Sequence, residues 1–274
     1  MGAGAVGGAA ALALRAAGWA VRATSRNPAP PRPLLQEAGV EIVRFDLAYD
    51  DIAPLLDGVS AAILIPPLTL SARVAPALQG RRVIAFSSNN VALDPNAPVY
   101  RALRDAETEL RRHAPGAIVL RPTLIYGDPR LPTLPQVMRL AMRTPVLPVP
   151  GSGRALQQPI FHEDLGRVAA QLAMGETQGG ATFAIGGPDI VSMRVLFAKT
   201  AKAVGAHPFL VAAPSVLLRA GRVVLGSRFP FDAAQIARVN QDRIAIEQTP
   251  LPEMLKPRVT LDKGLARLAA ALAA

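Results

Sequence analysis

The sequence has no cysteine among its 274 residues. It therefore cannot form a disulfide framework, and it has no thiolate to act as a nucleophile or metal ligand. Histidine is also scarce. Only His113, His162 and His207 are present, far apart and without the spacing of metal ligands. We expect no metal site.

Aromatic residues make up only 4% of the chain, although its formal net charge is +10. Proteins that bind nucleic acid commonly gather basic residues in one stripe and add aromatic side chains that stack on bases. Here the arginines are scattered, so we predict no nucleic-acid partner. The surplus positive charge favours anionic ligands.

Long uncharged apolar runs are missing as well. The most apolar late stretch, residues 209–226, is interrupted by Pro214, Arg219 and Arg222, whereas a membrane span needs about 20 apolar residues. The apolar start has no basic segment before it, unlike a signal peptide. We predict a soluble, cytoplasmic protein. The basic, apolar stretch 209–226 leaves peripheral association with a membrane complex open.

Apolar residues are abundant, at half of the chain, which is enough for a large core. Short apolar runs that read as strands alternate with segments that read as helices. The predicted strands cover residues 19–25, 40–47, 60–67, 81–88, 116–123 and 181–187. This alternation predicts an α/β fold with a doubly wound parallel sheet of Rossmann type.

The pattern loosens from about residue 127, where prolines and glycines become frequent. We predict that residues 1–126 form a nucleotide-binding core, completed by about 156–187. Residues 127–155 and 188–274 are then a small substrate lobe, largely C-terminal.

A glycine-rich turn opens the chain as GAGAVG, with Gly2, Gly4 and Gly7 in the spacing G-x-G-x-x-G before a predicted helix. Such a turn lets backbone N–H groups, here including Ala5 and Val6, approach the pyrophosphate of a dinucleotide. The spacing alone can arise by chance in an alanine- and glycine-rich segment. The βα units that follow favour the dinucleotide interpretation.

The ends of the next two strands bear on the choice of cofactor. NAD sites usually carry an acid where this chain has Ser25 and Arg26. An arginine can pair with a 2′-phosphate, so the sequence favours NADP over NAD, with an ordinary surface arginine as the alternative. Asp46 and Leu47 lie at the end of the predicted strand 40–47, where the adenine of the cofactor could lie. Asp46 is equally suited to capping a helix.

Ser88, Tyr100 and Arg104 are the candidate catalytic residues. A tyrosine needs its pKa, normally about 10, lowered by a nearby cation before it can transfer protons near neutral pH. Tyr100 and Arg104 are four residues apart on one predicted helix face, and Ser88 ends a buried strand. The spacing alone equally fits an ordinary helical pair.

Taken in order, several segments resemble the short-chain dehydrogenase/reductase superfamily, in its extended and atypical branches. Those branches contain epimerase- and dehydratase-like enzymes and an accessory subunit of respiratory complex I. The segments are GAGAVG (2–7), FDL (45–47), SS (87–88), YRALRDAETEL (100–110), VLRPTLIYG (119–127), QQPIFHEDLGRVAAQLA (157–173) and FAIGGPDIVSMRVLF (183–197).

The resemblance implies a role for each matching residue. Ser88 would orient the substrate and Tyr100 would be the acid/base, while Arg104 stands where the family has a lysine that holds the nicotinamide ribose. Pro122 and Thr123 would line the nicotinamide pocket. Pro66, near the end of the predicted strand 60–67, is also expected to contact the cofactor.

The resemblance also implies an activity, that of an NAD(P)-dependent oxidoreductase or epimerase/dehydratase-like enzyme for a small hydroxyl or carbonyl substrate. Gln157 and Gln158 lie where the family has a substrate-binding arginine, which argues against a nucleotide sugar. The replacement of lysine by Arg104 keeps a second interpretation open, a non-catalytic NADP(H)-binding sensor or assembly protein.

One element of the Rossmann pattern is not seen in the sequence. A central strand normally precedes the glycine turn, but Gly2 directly follows Met1. We expect the first strand to be truncated by a start site placed too late, with about five to eight apolar, β-branched residues before Met1.

Overall fold

The computed structural model of the chain describes residues 2–27, 33–94, 96–175, 179–225, 236–246 and 249–273. The chain divides into two units. The first consists of Met1–Thr123, His162–Ile185 and Ala245–Pro257, and the second of Leu124–Phe161, Gly186–Ile244 and Arg258–Ala274.

The described strands, in chain order, are β1 (Arg22–Ser25), β2 (Glu41–Arg44), β3 (Ala61–Leu64), β4 (Arg82–Phe86), β5 (Ile118–Pro122), β6 (Ile125–Tyr126), β7 (Val146–Pro150), β8 (Leu156–Gln157), β9 (Ile160–Phe161), β10 (Thr182–Ile185), β11 (Val191–Ser192) and β12 (Phe209–Ala213). The described α-helices are α1 (Ala5–Ala16), α2 (Pro33–Glu37), α3 (Leu68–Ser71), α4 (Asn90–Leu93), α5 (Pro98–His113), α6 (Leu134–Ala141), α7 (His162–Met174), α8 (Met193–Ala203), α9 (Ser215–Leu225) and α10 (Leu261–Ala273). None of these helices is long and apolar enough to cross a membrane.

The first unit contains two parallel sheets. One has the order β10-β5-β4-β3 and the other pairs β1 with β2. Ile63 lies opposite Ile84, and Ala23 opposite Ile42. Strands that alternate with helices and pair in parallel confirm the predicted α/β, Rossmann-type fold.

The middle strands of this unit are buried on both faces. Ile84 and Ala85 on β4, like Val119 and Leu120 on β5, have no exposed surface. Such continuous apolar strands are expected where helices cover both faces of a parallel sheet.

Helices α1 and α7 cross closely in the first unit. A Cβ atom on Gly166 would lie 2.6 Å from the Cβ of Ala9 and 2.8 Å from the carbonyl oxygen of Val6. The alanine-rich sequence of α1 also fits this crossing, because Ala10 and Ala11 have no exposed surface. The small side chains therefore fix the helix that follows the glycine turn.

We expect Gly166→Ala to lower the free energy of unfolding by about 1–3 kcal/mol, because overpacking outweighs the better helix propensity of alanine. Gly116→Ala is the matched control, since a Cβ atom there meets nothing within 4 Å. Urea denaturation of both variants tests the expectation. Equal unfolding free energies would contradict a tight crossing.

Residues 245–257 pack in the first unit, whereas the predicted substrate lobe includes them. The backbone N–H of Ile246 donates to Oδ1 of Asn89 at 3.3 Å. Arg167 donates to the carbonyl oxygens of Met254 and Lys256 at 3.4 and 2.8 Å. These polar contacts join segments far apart in sequence, so no local pattern reports them.

The second unit contains three two-stranded sheets. β7 pairs with β12 and β6 with β9 in parallel, while β8 pairs with β11 in antiparallel. The rings of Tyr126 and Phe161 meet edge to face with centroids 5.5 Å apart, and they pack with Leu134, Met138 and Leu265. A role of this unit in substrate binding stays a prediction.

Candidate cofactor and active site

The glycine turn leads into α1 and is hydrogen-bonded to β1, which follows α1 in the chain. The N–H of Ala3 donates to the carbonyl oxygen of Thr24 at 2.8 Å. Helix α1 begins after Gly4, where no side chain caps it. A Cβ atom on Gly7 would lie 1.6 Å from the carbonyl oxygen of Gly2. Gly7 must therefore be glycine for the helix to start this close to the turn.

The other two glycines of the turn face open space. A Cβ atom on Gly2 or Gly4 would meet nothing within 4 Å. The helix has no acidic residue in its first turn, which contains Ala5 and Val6. An uncapped helix start beside open space suits an anionic group, because the helix dipole is positive there.

A cavity of about 920 Å³ lies in the first unit beside this turn. Most of the predicted cofactor residues line it, from the turn and from the segments that follow three strands. They are Gly2, Gly4, Ser25, Arg26, Asp46, Leu47 and Pro66. The carboxyl ends of parallel strands are the usual place for a ligand in this class of sheet.

Ser25, the last residue of β1, and Arg26, which follows it, differ in what they offer a ligand. Ser25 Oγ donates to the carbonyl oxygen of Asn27 at 2.6 Å, so it stabilises its own turn. Arg26 is exposed and lines the cavity. Of the two residues, Arg26 is therefore the one that brings a positive charge to the cavity.

Asp46 has a structural role after β2. Its Oδ1 accepts from the N–H of Ala48 at 3.0 Å, and its own N–H donates to Oδ2 of Asp50 at 2.7 Å. The carboxylate therefore stabilises a turn by accepting a backbone hydrogen bond, much as a helix-capping carboxylate would. It also lines the cavity together with Leu47.

Three predicted cofactor residues near the ends of β3 and β5 are held by hydrogen bonds to their backbone groups. The carbonyl oxygen of Pro66 accepts from Ser71 Oγ at 3.0 Å. The carbonyl oxygen of Pro122 accepts from the N–H of Asn89 at 3.1 Å. The N–H of Thr123 donates to the carbonyl oxygen of Ile185 at 3.0 Å.

Ser88 and Tyr100 are linked through Asn90. The N–H of Asn90 donates to Ser88 Oγ at 3.3 Å. The side-chain Nδ2 of the same residue donates to the hydroxyl oxygen of Tyr100 at 3.0 Å. The end of β4 and the start of α5 are therefore joined by one asparagine.

Sequence reasoning missed Asn90. The only signal was its place in SSNN, directly after the candidate Ser88. Spacing cannot show that its amide reaches Tyr100, which lies on α5.

Arg104 follows Tyr100 by one turn of α5, but the two side chains differ in burial. Tyr100 is 8% exposed, whereas Arg104 is on the exposed side of the helix. His162 begins α7, and Glu163 and Asp164 occupy its first turn, as expected for a helix start.

No protein-family model matches the sequence, and no curated protein matches it. Solved structures do match its fold. MoeE5 in complex with UDP-glucose and NAD is 20% identical, with a TM-score of 0.73 over 98% of this chain and 95% of that chain.

Two further structures extend the comparison. The UDP-glucuronic acid 4-epimerase from Bacillus cereus, in complex with UDP-glucuronic acid and NAD, is 13% identical with a TM-score of 0.68. That match covers 97% of this chain and 95% of the epimerase. The dTDP-glucose 4,6-dehydratase from Bacillus anthracis, in complex with NAD, is 12% identical with a TM-score of 0.63, over 92% and 87% of the two chains.

The fold and the polar residues at its strand ends define a Rossmann-type α/β protein. More narrowly, the chain has the same fold as these solved structures of MoeE5, a UDP-glucuronic acid 4-epimerase and a dTDP-glucose 4,6-dehydratase. The resemblance in the sequence is thereby confirmed at the level of the fold.

Proposed function

We propose that the chain is an NAD(P)-dependent oxidoreductase or epimerase/dehydratase-like enzyme for a small hydroxyl or carbonyl substrate. The observation that carries this proposal is the link from Ser88 through Asn90 to Tyr100. It places two hydroxyl groups near the carboxyl ends of the strands, in the unit that also contains the glycine turn.

The residues of the turn fit a dinucleotide. Gly2 and Gly4 leave open space beside the uncapped start of α1, where Ala5 and Val6 offer backbone N–H groups to a pyrophosphate. Pro122 and Thr123 would lie beside the nicotinamide. A bound nicotinamide cofactor supplies hydride transfer, and the protein supplies orientation and proton transfer.

Each catalytic candidate has a role in this proposal. Tyr100 would exchange a proton with the substrate oxygen, and Ser88 would hold that oxygen by a hydrogen bond. Asn90 donates to the Tyr100 oxygen, so it would stabilise the negative charge that forms when the phenol loses its proton. Arg104 would take the place of the family's lysine at the ribose.

Absorbance of NADH or NADPH, followed with a panel of carbonyl compounds, tests the proposal. We expect oxidation of the cofactor with at least one member of the panel. Calorimetry with each dinucleotide supplies an independent readout of binding. Absence of binding to all four forms, NAD, NADH, NADP and NADPH, would overturn the proposal.

A second candidate function is a non-catalytic NADP(H)-binding sensor or assembly protein. The exposed side chain of Arg104 favours it, since the planar guanidinium is not equivalent to the lysine that it replaces. Dinucleotide binding without turnover on any carbonyl compound would support this candidate.

The proposed preference for NADP rests on Arg26, although the solved structures of this fold described above contain NAD. A charge-assisted contact to the 2′-phosphate contributes roughly 1.5–3 kcal/mol. We expect NADPH to bind about 10- to 100-fold more tightly than NADH, and Arg26→Ala to remove most of that difference. Calorimetry measures both affinities.

The exposed Arg44, at the end of β2, provides the matched control for Arg26. Arg44→Ala removes the same charge from the same unit and should leave the ratio of the two affinities unchanged. Equal affinities for NADH and NADPH in the parent chain would show that the chain has no 2′-phosphate site.

A further inference from the structure

The surplus positive charge of the chain belongs to the second unit. Residues 124–161, 186–244 and 258–274, which make up that unit, contain 15 lysines and arginines but only 5 aspartates and glutamates, a net charge of +10. The first unit contains 15 residues of each sign and is neutral. A charge divided so unevenly between two parts of a chain points to an anionic partner for the charged part.

The sheet formed by β7 and β12 is apolar on both of its faces. Leu147 and Val149 of β7 have no exposed surface and belong to an apolar cluster of the second unit. Successive residues of a strand point to opposite faces. Val146 of β7 and Phe209 of β12, which lie opposite each other, are 45% and 78% exposed. A sheet with one solvated face usually carries polar residues there, so this outward face is suited to an apolar contact.

Helix α9, which follows β12 in the chain, also directs apolar side chains outward. Val216 and Val223 are two helical turns apart on one side of the helix, and they are 71% and 84% exposed. Arg219 and Arg222 of the same helix are exposed as well, and α9 contains no acidic residue. A helix that exposes apolar and basic residues together is typical of helices that lie in the plane of a membrane interface.

The charge and the aliphatic character of this surface select among its possible partners. A second copy of the chain would bring two units of net charge +10 together, which like-charge repulsion opposes. Binding of nucleic acid commonly uses aromatic side chains that stack on bases, whereas the exposed residues of α9 are valines, a leucine and arginines. A bilayer with anionic lipids offers apolar chains to the valines and negative headgroups to the arginines.

We propose that the second unit binds the surface of a bilayer that contains anionic lipids, through the outward side chains of β12 and α9. Phe209, Val216 and Val223 would enter the boundary between headgroups and acyl chains. Arg219 and Arg222 would pair with the negative headgroups. The proposal goes beyond the proposed function, because it uses residues of the second unit alone and requires no dinucleotide.

Sedimentation of the full chain with protein-free vesicles tests the proposal. One set of vesicles contains phosphatidylcholine with about 30% phosphatidylserine, and the other contains phosphatidylcholine alone. At about 0.1 M salt we expect binding to the anionic vesicles to be at least about 10-fold tighter, and we expect this difference to shrink at about 1 M salt, where charges are screened.

The contribution of charge is tested by a double variant, Arg219→Gln with Arg222→Gln. It should weaken binding to the anionic vesicles about 10- to 30-fold, since each basic residue near such a surface adds to the attraction. The matched control, Arg44→Gln with Arg73→Gln, removes two exposed arginines from the neutral first unit and should keep the affinity of the parent chain.

The apolar contribution is tested by Val216→Ser with Val223→Ser. This variant should weaken binding to the same vesicles about 10-fold or more, because two side chains no longer gain from leaving water. The matched control is Leu34→Ser with Met254→Ser, which changes two side chains of the first unit that are 69% and 70% exposed. Circular dichroism of each variant verifies that it folds.

Four outcomes would overturn the proposal. The first is equal binding of the parent chain to the two kinds of vesicle, and the second is equal weakening by a variant and its matched control. The third is a dimer by light scattering that Phe209→Ser converts to a monomer, which would assign the surface to a second copy. The fourth is binding to native membranes without binding to protein-free vesicles, which would assign it to a membrane protein. Calorimetry with dinucleotides is separate, so failure of the proposed function leaves the vesicle results intact.

Discussion

Tyr100→Phe is expected to lower kcat by roughly 10²–10⁴-fold while cofactor affinity changes little, because the variant loses only the hydroxyl that transfers the proton in the proposed function. The ring of Tyr100 is 8% exposed, and phenylalanine preserves its packing. Steady-state kinetics on whichever carbonyl compound the parent chain reduces, with calorimetry of the cofactor, measures the effect.

The matched control for this prediction is Thr108→Val, which removes a hydroxyl from the exposed side of the same helix. It should keep the kcat of the parent chain. Arg104→Lys restores the residue of the family pattern and should keep or raise kcat. If Tyr100→Phe retains the parent kcat, Tyr100 does not transfer the proton.

Asn90 gives the same proposal a finer test. Its side chain donates to the Tyr100 oxygen, so Asn90→Ala should lower kcat and shift the pH profile of kcat toward higher pH. A residue with only a structural role would lower stability without moving the pH profile. In the proposed function Asn90 would be a positioning residue, because it would act through Tyr100.

The fold could be predicted from local patterns. The predicted strand 81–88 contains β4, and the predicted strand 116–123 contains β5, because both depend on an apolar pattern that a short window reveals. The pairing of β1 with β2 in a separate sheet could not be read in this way. The separation of this pair from the other sheet depends on what lies between β1 and β3, which begin far apart in the chain, at Arg22 and Ala61.

The site was predicted less completely than the fold. The sequence indicated Ser88 and Tyr100 as candidates but gave no reason to choose Asn90. The hydrogen bonds of Asn90 depend on how α4 packs against α5, which a local pattern does not show. Asp46 lines the cavity beside the glycine turn and at the same time stabilises the turn after β2. Both interpretations of Asp46 were open from the sequence, since a carboxylate serves either purpose.

A buried ion pair holds the helix of Tyr100 against the sheet. Arg121 on β5 donates to both carboxylate oxygens of Glu107 on α5, at 2.9 and 2.5 Å. The side chain of Glu107 is 2% exposed and that of Arg121 is 13% exposed. Arg111 of the same helix donates to Thr182 Oγ1 on β10. These contacts fix α5 across two neighbouring strands.

We expect Glu107→Ala to lower the free energy of unfolding by about 3–5 kcal/mol, because it leaves the guanidinium of Arg121 buried without its carboxylate. That loss is a large part of the roughly 5–15 kcal/mol that stabilises a typical domain. Urea denaturation measures it, with circular dichroism at 25 °C to verify that the variant folds.

Glu109→Ala is the control on the same helix. Glu109 is 41% exposed and pairs with Arg112 and His113 at the surface, so its loss should cost less than about 1 kcal/mol. A double variant, Glu107→Leu with Arg121→Met, should recover most of the stability, since apolar residues often replace a buried pair without loss. Equal losses in Glu107→Ala and Glu109→Ala would mean that the buried pair does not hold α5. If the double variant also keeps the kcat of the parent chain, the ion pair contributes to folding stability and has no separate effect on the rate.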